Sequence, residues 1–426
     1  MKIKYLLVLL SVFAGKLSAQ NIVTEITPFN DSRVITTGVP FLLIAPDARA
    51  AGMGDMGVAT TSDAFSQQWN ASKYAFSTTK SGFAMSYTPY LSKLVNDIFL
   101  GNITYFNRLN EGSAFGVSFK YFSLGDIEFI TEEQAQQANV LPIIQRPNEL
   151  TFDVSYSLRL SDKFAMGVSM RYLRSDLKLN FGNNDAEAAS TFGVDISGYY
   201  QGEEKALADF NGRWRGGFAI QNLGPKFKYD EGGQENFQPT NLRLGAGFDF
   251  IFDQHNKLGV TAEFSKLLVP TPPVRGNKQV WEEMGDGVDP NNPIDEYNPS
   301  EGDVEIENDN NYIISGQDND VNFISGIFQS FGDAPGGFKE ELQEFTYALG
   351  AEYSYQDSFM FRLGYFNEHE TKGARKFFAL GAGFKYNVMN IDLSYLFSSS
   401  KVQSPLENTL RFSLTFNIGA GQYSEY

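Results

Sequence analysis

Most of the chain from about residue 82 onward alternates between apolar and polar side chains at every second position. In Thr151–Leu160 the even-numbered residues are apolar and the odd-numbered ones are polar or charged. Leu242–Phe250 and Leu410–Ile418 repeat this alternation, with glycines among the polar positions of the first. Successive side chains of a β-strand point to opposite faces, so each segment has one apolar and one polar face. The pattern therefore predicts amphipathic strands.

About fourteen such segments follow one another, each close to the length of a membrane-spanning strand. They begin near Gly82, Val95, Ser113, Glu149, Phe164, Thr191, Gly212, Asn241, Lys257, Gln343, Ser358, Arg375, Met389 and Asn408. Tight turns and long connections alternate between them. The tight turns are at residues 161–163, 253–256, 356–357 and 387–388, and the long connections are at 131–148, 178–190, 224–240 and 270–340.

This asymmetry is typical of outer-membrane barrels, whose short turns face the periplasm and whose long loops face the cell exterior. A large soluble β-sandwich is the alternative, since its strands alternate in the same way, but it does not predict alternating connection lengths. The sequence therefore predicts an all-β fold, a transmembrane antiparallel barrel of about fourteen strands over residues 82–426. We expect both termini in the periplasm.

The first 81 residues differ from the rest. Residues 1–19 combine Lys2 and Lys4 with an apolar run and end in Ser18-Ala19, which is typical of a secretory signal peptide. Residues 20–81 lack clean alternation and include a glycine-rich stretch, Ala50–Ala59, with a helical turn predicted near Asp63–Lys73. A segment of this kind before a barrel predicts an N-terminal periplasmic or hatch segment that plugs the lumen.

Composition narrows the chemistry. The chain of 426 residues carries a formal charge of -17, no cysteine and two histidines, and 15% of its residues are aromatic. The charge disfavours a nucleic-acid partner, and the lack of cysteine excludes disulfides and thiol chemistry. The two histidines, His255 and His369, fall in connections predicted at opposite ends of the barrel. The sequence thus predicts no catalytic residues, no cofactor and no metal ligands.

Charges on the polar strand faces carry both signs. We predict that they form a structural network inside the barrel, because buried charges need partners. A path for a ligand is the second interpretation. The residues concerned are Asp153, Arg159, Arg243, Asp249, Glu263, Glu352, Arg362, Asp392 and Arg411.

The longest connection, 270–340, is strongly acidic. Between Gln279 and Asp320 it carries thirteen acidic residues and no lysine or arginine. It is either a solvated acidic loop or a docking arm for a partner with basic patches, since complementary charge guides association. The candidate partner-binding residues are Trp281, Glu282, Glu283, Asp286, Asp289, Tyr297, Tyr312 and Phe323. Calcium binding by Asp286, Asp289, Asp303 and Asp309 is a further hypothesis, although no EF-hand spacing is present.

Three segments resemble a known family. Phe41–Val58 (FLLIAPDARAAGMGDMGV), Ser66–Phe76 (SQQWNASKYAF) and Ser86–Pro89 (SYTP) are similar to the PorV (LptO) family of the Bacteroidetes type IX secretion system, and Leu124–Ile127 also fits its pattern. The wider group is similar to FadL-type transporters, barrels with an N-terminal hatch. The Asn-Pro-Ala motif of that hatch would fall on residues 70–72, where Asn70 alone matches. The candidate hatch residues are Phe41, Asp47, Arg49, Gly52, Gly54, Trp69 and Asn70.

The resemblance implies a non-enzymatic outer-membrane protein surrounded by outer-membrane lipid. Members are expected to lie against the lateral opening of the translocon barrel, called Sov or SprA. There they would bind secreted cargo by its C-terminal signal domain and pass it to a surface attachment complex that contains the PorU sortase. Two alternatives stay open: a FadL-like transporter of hydrophobic small molecules, and an outer-membrane lipid-modifying enzyme.

Overall fold

The computed structural model describes residues 21–130, 141–177, 188–230, 232–283, 297, 299, 303–400 and 404–421. The predicted signal peptide lies outside these residues. The chain forms two compact units, one built from residues 33–271 and 319–426 and the other from residues 1–32 and 272–318. Among the described residues, no helix combines the length and apolarity that crossing a membrane would require.

Strands dominate the described part of the chain. They are β1 (Asn21–Pro28), β2 (Thr79–Pro89), β3 (Ile98–Arg108), β4 (Ser113–Leu124), β5 (Ile127–Phe129), β6 (Ile143–Gln145), β7 (Asn148–Ser161), β8 (Phe164–Asp176), β9 (Ala189–Gln201), β10 (Lys205–Ala206), β11 (Asn211–Leu223), β12 (Asn241–Ile251), β13 (Asn256–Leu267), β14 (Val274–Glu283), β15 (Val304–Ser315), β16 (Thr346–Tyr355), β17 (Phe359–Asn367), β18 (Lys376–Tyr386), β19 (Met389–Ser398) and β20 (Leu410–Ala420).

The larger unit is a closed antiparallel barrel of 14 strands. Its strands follow the order β2-β3-β4-β7-β8-β9-β11-β12-β13-β16-β17-β18-β19-β20, and β20 pairs back with β2. The predicted fold class and strand number are therefore confirmed, and each predicted strand start lies within three residues of the observed one. Closure leaves no unpaired backbone edge, which is the condition for strands that cross a bilayer.

The alternation places apolar side chains outside the barrel and polar ones inside. In β7 the outward-facing Phe152, Tyr156 and Leu158 are 48%, 50% and 42% exposed, whereas Asp153 and Ser155 are buried. The tight connections, such as Asn387-Val388 between β18 and β19, lie at one end of the barrel, which we call the short-turn end. Asn387 adopts a φ of 52°, as two-residue hairpin turns require. The opposite end, with the connection from β13 to β16, is the long-loop end.

A segment before the first barrel strand fills the lumen. Residues 39–77, which we call the plug, fold as short helical turns that pack against the inner faces of the strands. The turns are three short 3₁₀ helices, Pro40–Leu43, Ala64–Gln68 and Ala71–Phe76, and one α-helix, α1 (Ala48–Gly52). Small side chains on β18, including Ala379 and Gly381, leave room for the plug.

Two further helices lie in the connection that precedes β16. They are α2 (Phe323–Gln329) and α3 (Phe338–Gln343). Asn322 caps α2, because its side-chain oxygen accepts a hydrogen bond from the Ser325 amide at 2.9 Å. Residues 323–345, which contain both helices, are called the rim segment below.

The smaller unit corrects the boundaries predicted from the sequence. We expected residues 20–81 to form one hatch segment and residues 270–340 to form an acidic loop. Instead, β1 pairs with β14, and β14 pairs with β15, in a three-stranded antiparallel sheet. Periodicity missed β15 because most of its side chains are exposed on both faces, so they do not alternate. Backbone hydrogen bonds and cross-strand pairs such as Lys278–Glu307, 2.8 Å apart, hold the strands instead.

Candidate functional site

The plug begins with an aromatic contact. Phe41 is 2% exposed and packs with Leu100, Leu173 and Phe227. Its ring is parallel to that of Phe122 on β4, with 5.8 Å between the centroids. This predicted hatch residue therefore anchors the start of the plug to the barrel wall by apolar burial.

Asp47 holds two parts of the plug together. Its carboxylate accepts a hydrogen bond from the Ala50 amide at 2.8 Å and so caps α1. The other carboxylate oxygen accepts a hydrogen bond from the Trp69 indole nitrogen, also at 2.8 Å. Burial, together with the nearby charge of Asp63, raises the pKa of Asp47 from 3.8 to about 6. The two predicted residues Asp47 and Trp69 thus form one contact, although 22 positions separate them.

Arg49 connects the plug to the barrel wall through a chain of ion pairs. Its guanidinium lies 2.6 Å from the Asp63 carboxylate within the plug and 2.8 Å from the Glu352 carboxylate on β16. Glu352 also pairs with Arg362 at 2.6 Å, and Arg362 pairs with Asp392 at 2.7 Å. Such a buried network is stable only when every charge has a partner, so the plug and three strands depend on one another.

Glycines allow the plug to approach the wall at backbone distance. A Cβ atom on Gly52 would lie 2.9 Å from the Gly381 Cα, and one on Gly54 would lie 2.8 Å from the Tyr365 carbonyl oxygen. Gly54 also has a φ of 86°, a conformation that glycine adopts without strain. These two glycines therefore allow close packing of the plug inside the lumen.

Polar groups of the plug are also paired with residues of β13 and β9 in the wall. Glu263 accepts hydrogen bonds from the Gly57 and Val58 amides, each at 2.9 Å, and pairs with Arg243 at 2.8 Å. The Asn70 side-chain amide donates to the carbonyl oxygens of Val58 and Gly198, both at 2.9 Å. Asn70, where the sequence matches the hatch motif of the wider group, thus joins two plug segments to β9.

The predicted network of lumenal charges is confirmed, and it extends beyond the predicted residues. All nine predicted charges have polar partners: Asp153 with Arg171, Arg159 with the Ala75 carbonyl, Arg243 with Glu263, Asp249 with Arg215, Glu352 and Asp392 with Arg362, and Arg411 with Asp55. Sequence reasoning missed Arg171, Asp195, Arg213, Arg215 and Lys73. The strand residues among these share the polar face of their strands, so parity alone would have placed them in the lumen.

One lumenal cavity of about 300 Å³ lies toward the short-turn end. Charged and polar side chains dominate its lining, among them Arg49, Arg213, Asp249, Glu352 and Lys385. The chemistry of this cavity suits water and polar groups, because apolar molecules gain nothing from a lining of paired charges.

A second ionic cluster ties the rim segment to the long-loop end of the barrel. Lys266 at the end of β13 contacts the Glu344 carboxylate and lies 3.2 Å from that of Glu341. Lys372 is 3.0 Å from Glu344 and 2.6 Å from Glu340. Hydrogen bonds and ion pairs hold the pKa of Glu340 below its usual value despite partial burial. These contacts fix the rim segment against the barrel.

The predicted partner-binding residues that the structure describes are divided between the two units. Trp281, a candidate partner-binding residue, is completely buried, with its ring 6.0 Å from that of Tyr297, so its side chain is not exposed to a partner in this structure. Tyr312 on β15 stacks beneath the Lys278 ammonium at 5.1 Å, and Phe323 begins α2 in the other unit. Glu282 and Glu283 end β14, while Asp286 and Asp289 lie outside the described residues.

No cluster of three or more potential metal-ligating side chains occurs in the described part of the chain. Asp303 and Asp309 of the calcium hypothesis lie before and within β15, and their two proposed partners, Asp286 and Asp289, are outside the description. His255 and His369 lie in connections at opposite ends of the barrel, as predicted.

The family model for PorV, described as type IX secretion system protein PorV, matches residues 27–274. That span covers more than half of the chain and includes the plug. The chain belongs to the PorV family. The family resemblance of the sequence is thereby confirmed. This PorV-family protein is a component of the type IX secretion system and an outer-membrane β-barrel.

No curated relative matches this PorV-family chain. Among solved structures it is similar to the Ralstonia pickettii toluene transporter TbuX, at 13% identity over 89% of this chain and 100% of that one, with a TM-score of 0.47. The Pseudomonas putida toluene transporter TodX is 11% identical over 90% and 98% of the two chains, with a TM-score of 0.46. A Pseudomonas aeruginosa FadL homologue is 11% identical over 91% and 100%, with a TM-score of 0.41.

Proposed function

We propose that this PorV-family protein is a non-enzymatic carrier of secreted proteins in type IX secretion. It binds cargo by the C-terminal signal domain at the lateral opening of the translocon barrel and passes it to a surface attachment complex with a PorU-like sortase. The observation that carries the proposal is the family match over residues 27–274, a span that includes the whole plug.

The filled lumen supports a carrier over a pore. Arg49, Glu263 and Asn70 each join the plug to different strands through buried polar contacts. Removing one partner of a buried ion pair costs about 3–5 kcal/mol, so opening a path through the plug would require several such losses together. A transporter of hydrophobic molecules would also need an apolar lumenal pocket, whereas the cavity near the short-turn end is lined by charges.

The proposal includes an orientation. With an even number of strands, both ends of the barrel chain lie on one side of the membrane, and the short-turn end faces the periplasm in barrels of this type. The long-loop end would then face the exterior, where cargo is received. The acidic residues of 279–320 are candidates for attracting a basic partner, since complementary charge raises the rate of encounter.

A chromosomal deletion tests the function. We expect proteins with C-terminal signal domains to accumulate in the periplasm or on the translocon, and we expect the full-length gene to restore their appearance at the surface. Uptake of hydrophobic compounds and the chemistry of lipid A are measured in the same strains. Normal cargo export together with lost uptake would replace the proposal with a transporter, and normal export with altered lipid A would replace it with an enzyme.

A further inference from the structure

Large apolar side chains are exposed on the rim segment. Ile324, Phe328, Phe331, Phe338 and Leu342 are 55%, 75%, 52%, 77% and 57% exposed. They lie on α2, on α3 or between them, within nineteen residues of chain. Exposure of such a group of side chains to water is unfavourable, because free energy is gained when apolar surface is removed from water. Exposed apolar patches of this kind mark surfaces that another apolar phase covers.

The charged residues of the same segment point the other way. Asp333, Glu341 and Glu344 are 2%, 7% and 6% exposed, and they face polar groups of the barrel. The Asp333 carboxylate accepts a hydrogen bond from the Thr271 amide at 2.9 Å, and both glutamates contact Lys266. The segment thus buries its carboxylates and exposes its phenylalanines, the reverse of a helix that faces water.

The rim segment also lies beside the lipid-facing side of the barrel. Lys266 is two residues after Phe264 on β13 and therefore on the same face of the strand, where Phe264 is 53% exposed. The Lys266 ammonium lies 6.0 Å from the Phe331 ring and 5.4 Å from the Phe345 ring. Phe345 likewise precedes the outward-facing Tyr347 by two positions. The apolar patch is therefore continuous with the apolar outer surface of β13 and β16.

We propose that the rim segment is a membrane-interface element whose exposed apolar side chains insert among the acyl chains of outer-membrane lipid. Amphipathic segments bind a membrane interface through buried apolar area, with residues such as Phe and Leu on the face that enters the lipid. The ionic cluster of Lys266, Lys372, Glu340 and Glu344 holds the segment in this position. Continuity with the lipid-facing wall favours lipid over a protein partner as the occupant.

Tryptophan fluorescence in lipid vesicles tests the inference. The test variant is the full-length protein with two substitutions. Trp214→Phe removes an exposed indole of the outer wall, and Phe338→Trp places an indole on the rim segment. The matched control carries Gln234→Trp, at an exposed polar position in the connection between β11 and β12. Both variants are first checked for folding by heat-modifiable gel migration. Phosphatidylcholine with brominated acyl chains quenches indoles within the bilayer, iodide quenches those in water, and Trp214→Phe alone supplies the background.

We expect brominated lipid to quench Phe338→Trp about twofold more than Gln234→Trp, and iodide to show the opposite order. If iodide quenches the indole at position 338 as strongly as the indole at position 234, the inference is overturned. If iodide is excluded from that indole only after a translocon barrel is added, the patch is a protein-binding surface and the lipid proposal is wrong.

Discussion

Gly364 of β17 faces the plug at backbone distance. A Cβ atom at this position would lie 2.1 Å from the Gly54 nitrogen and 2.2 Å from the Met53 carbonyl carbon. Neither neighbour is the end of a flexible side chain, so the main chain of the plug itself would have to move. The plug can therefore lie this close to the wall only because residue 364 has no side chain.

We predict that Gly364→Ala destabilises the folded protein by at least about 1–3 kcal/mol, the usual cost of overpacking. The measurement is the temperature at which the compact band is lost in heat-modifiable electrophoresis. The matched control is Gly101→Ala on β3, where the nearest atoms to a new Cβ would be 3.7 and 3.9 Å away. Equal unfolding temperatures for the two variants would contradict close packing of the plug.

Arg49 provides the second test at this scale. Arg49→Ala leaves Glu352 paired with Arg362 but removes the nearest cation from Asp63. We predict a loss of about 3–5 kcal/mol, because an uncompensated charge stays buried.

Lys163→Ala is the control, since its pair with Glu203 spans 2.9 Å but the two side chains are 41% and 64% exposed. An exposed pair contributes less than about 1 kcal/mol. A comparable loss of folding stability in both variants, measured by denaturant unfolding, would mean that the lumenal network does not hold the plug.

Among the elements, the rim segment contains a group with a pH-dependent contribution. Burial, with the charges of Glu341 and Glu344 adding to it, raises the pKa of Asp333 from 3.8 to about 6. A raised pKa in the folded state means that ionisation of this carboxyl disfavours folding. The protonated Asp333 carboxyl makes its full contribution to the free energy of unfolding below about pH 4. This contribution is lost as the pH rises through about 6.

We therefore predict that the amides of α3 exchange with deuterium more slowly at pH 5 than at pH 8, after correction for the intrinsic exchange rate. Asp333→Asn, which keeps an oxygen for the Thr271 amide, should remove most of this difference. If deuterium exchange in Asp333→Asn still depends on pH as strongly as in the unmodified protein, the pH dependence comes from another group.

The three-stranded sheet can be deleted without removing any strand of the barrel. Trimming only residues 279–320 would leave part of β1 without its partner strand, because β1 pairs with β14. Deleting β1 together with residues 275–318 removes the sheet as one piece. We predict a barrel that still shows heat-modifiable migration but captures less cargo in pull-down assays. Unchanged cargo capture would exclude this sheet as a docking element.

The elements differ in how far the sequence could predict them. The barrel strands were predictable because apolar and polar residues alternate locally, as in Thr151–Leu160. The pairing of Arg49 with Glu352 was not, since 303 positions separate them and only the closed barrel brings them together. The burial of Trp281 was missed because β14 and β15 carry charges on both faces, which hides a strand from periodicity.

At the level of the whole molecule, the closed wall and the plug bear on function together. The wall isolates the lumen from lipid, and the plug fills much of it with paired charges. The barrel unit therefore offers its outer wall and its two ends for recognition, besides the separate three-stranded sheet. This arrangement fits a protein that acts by contact with other proteins in the outer membrane. The proposed carrier function does not require any molecule to pass through the lumen.

Affinity purification of the tagged protein from native outer membranes, followed by mass spectrometry, tests the carrier function most directly. We predict that the translocon barrel and secreted proteins with intact C-terminal signal domains are recovered together, and that an unrelated tagged barrel from the same membranes recovers neither. Recovery of the protein with lipid or small hydrophobic compounds, and without translocon or cargo, would contradict the account.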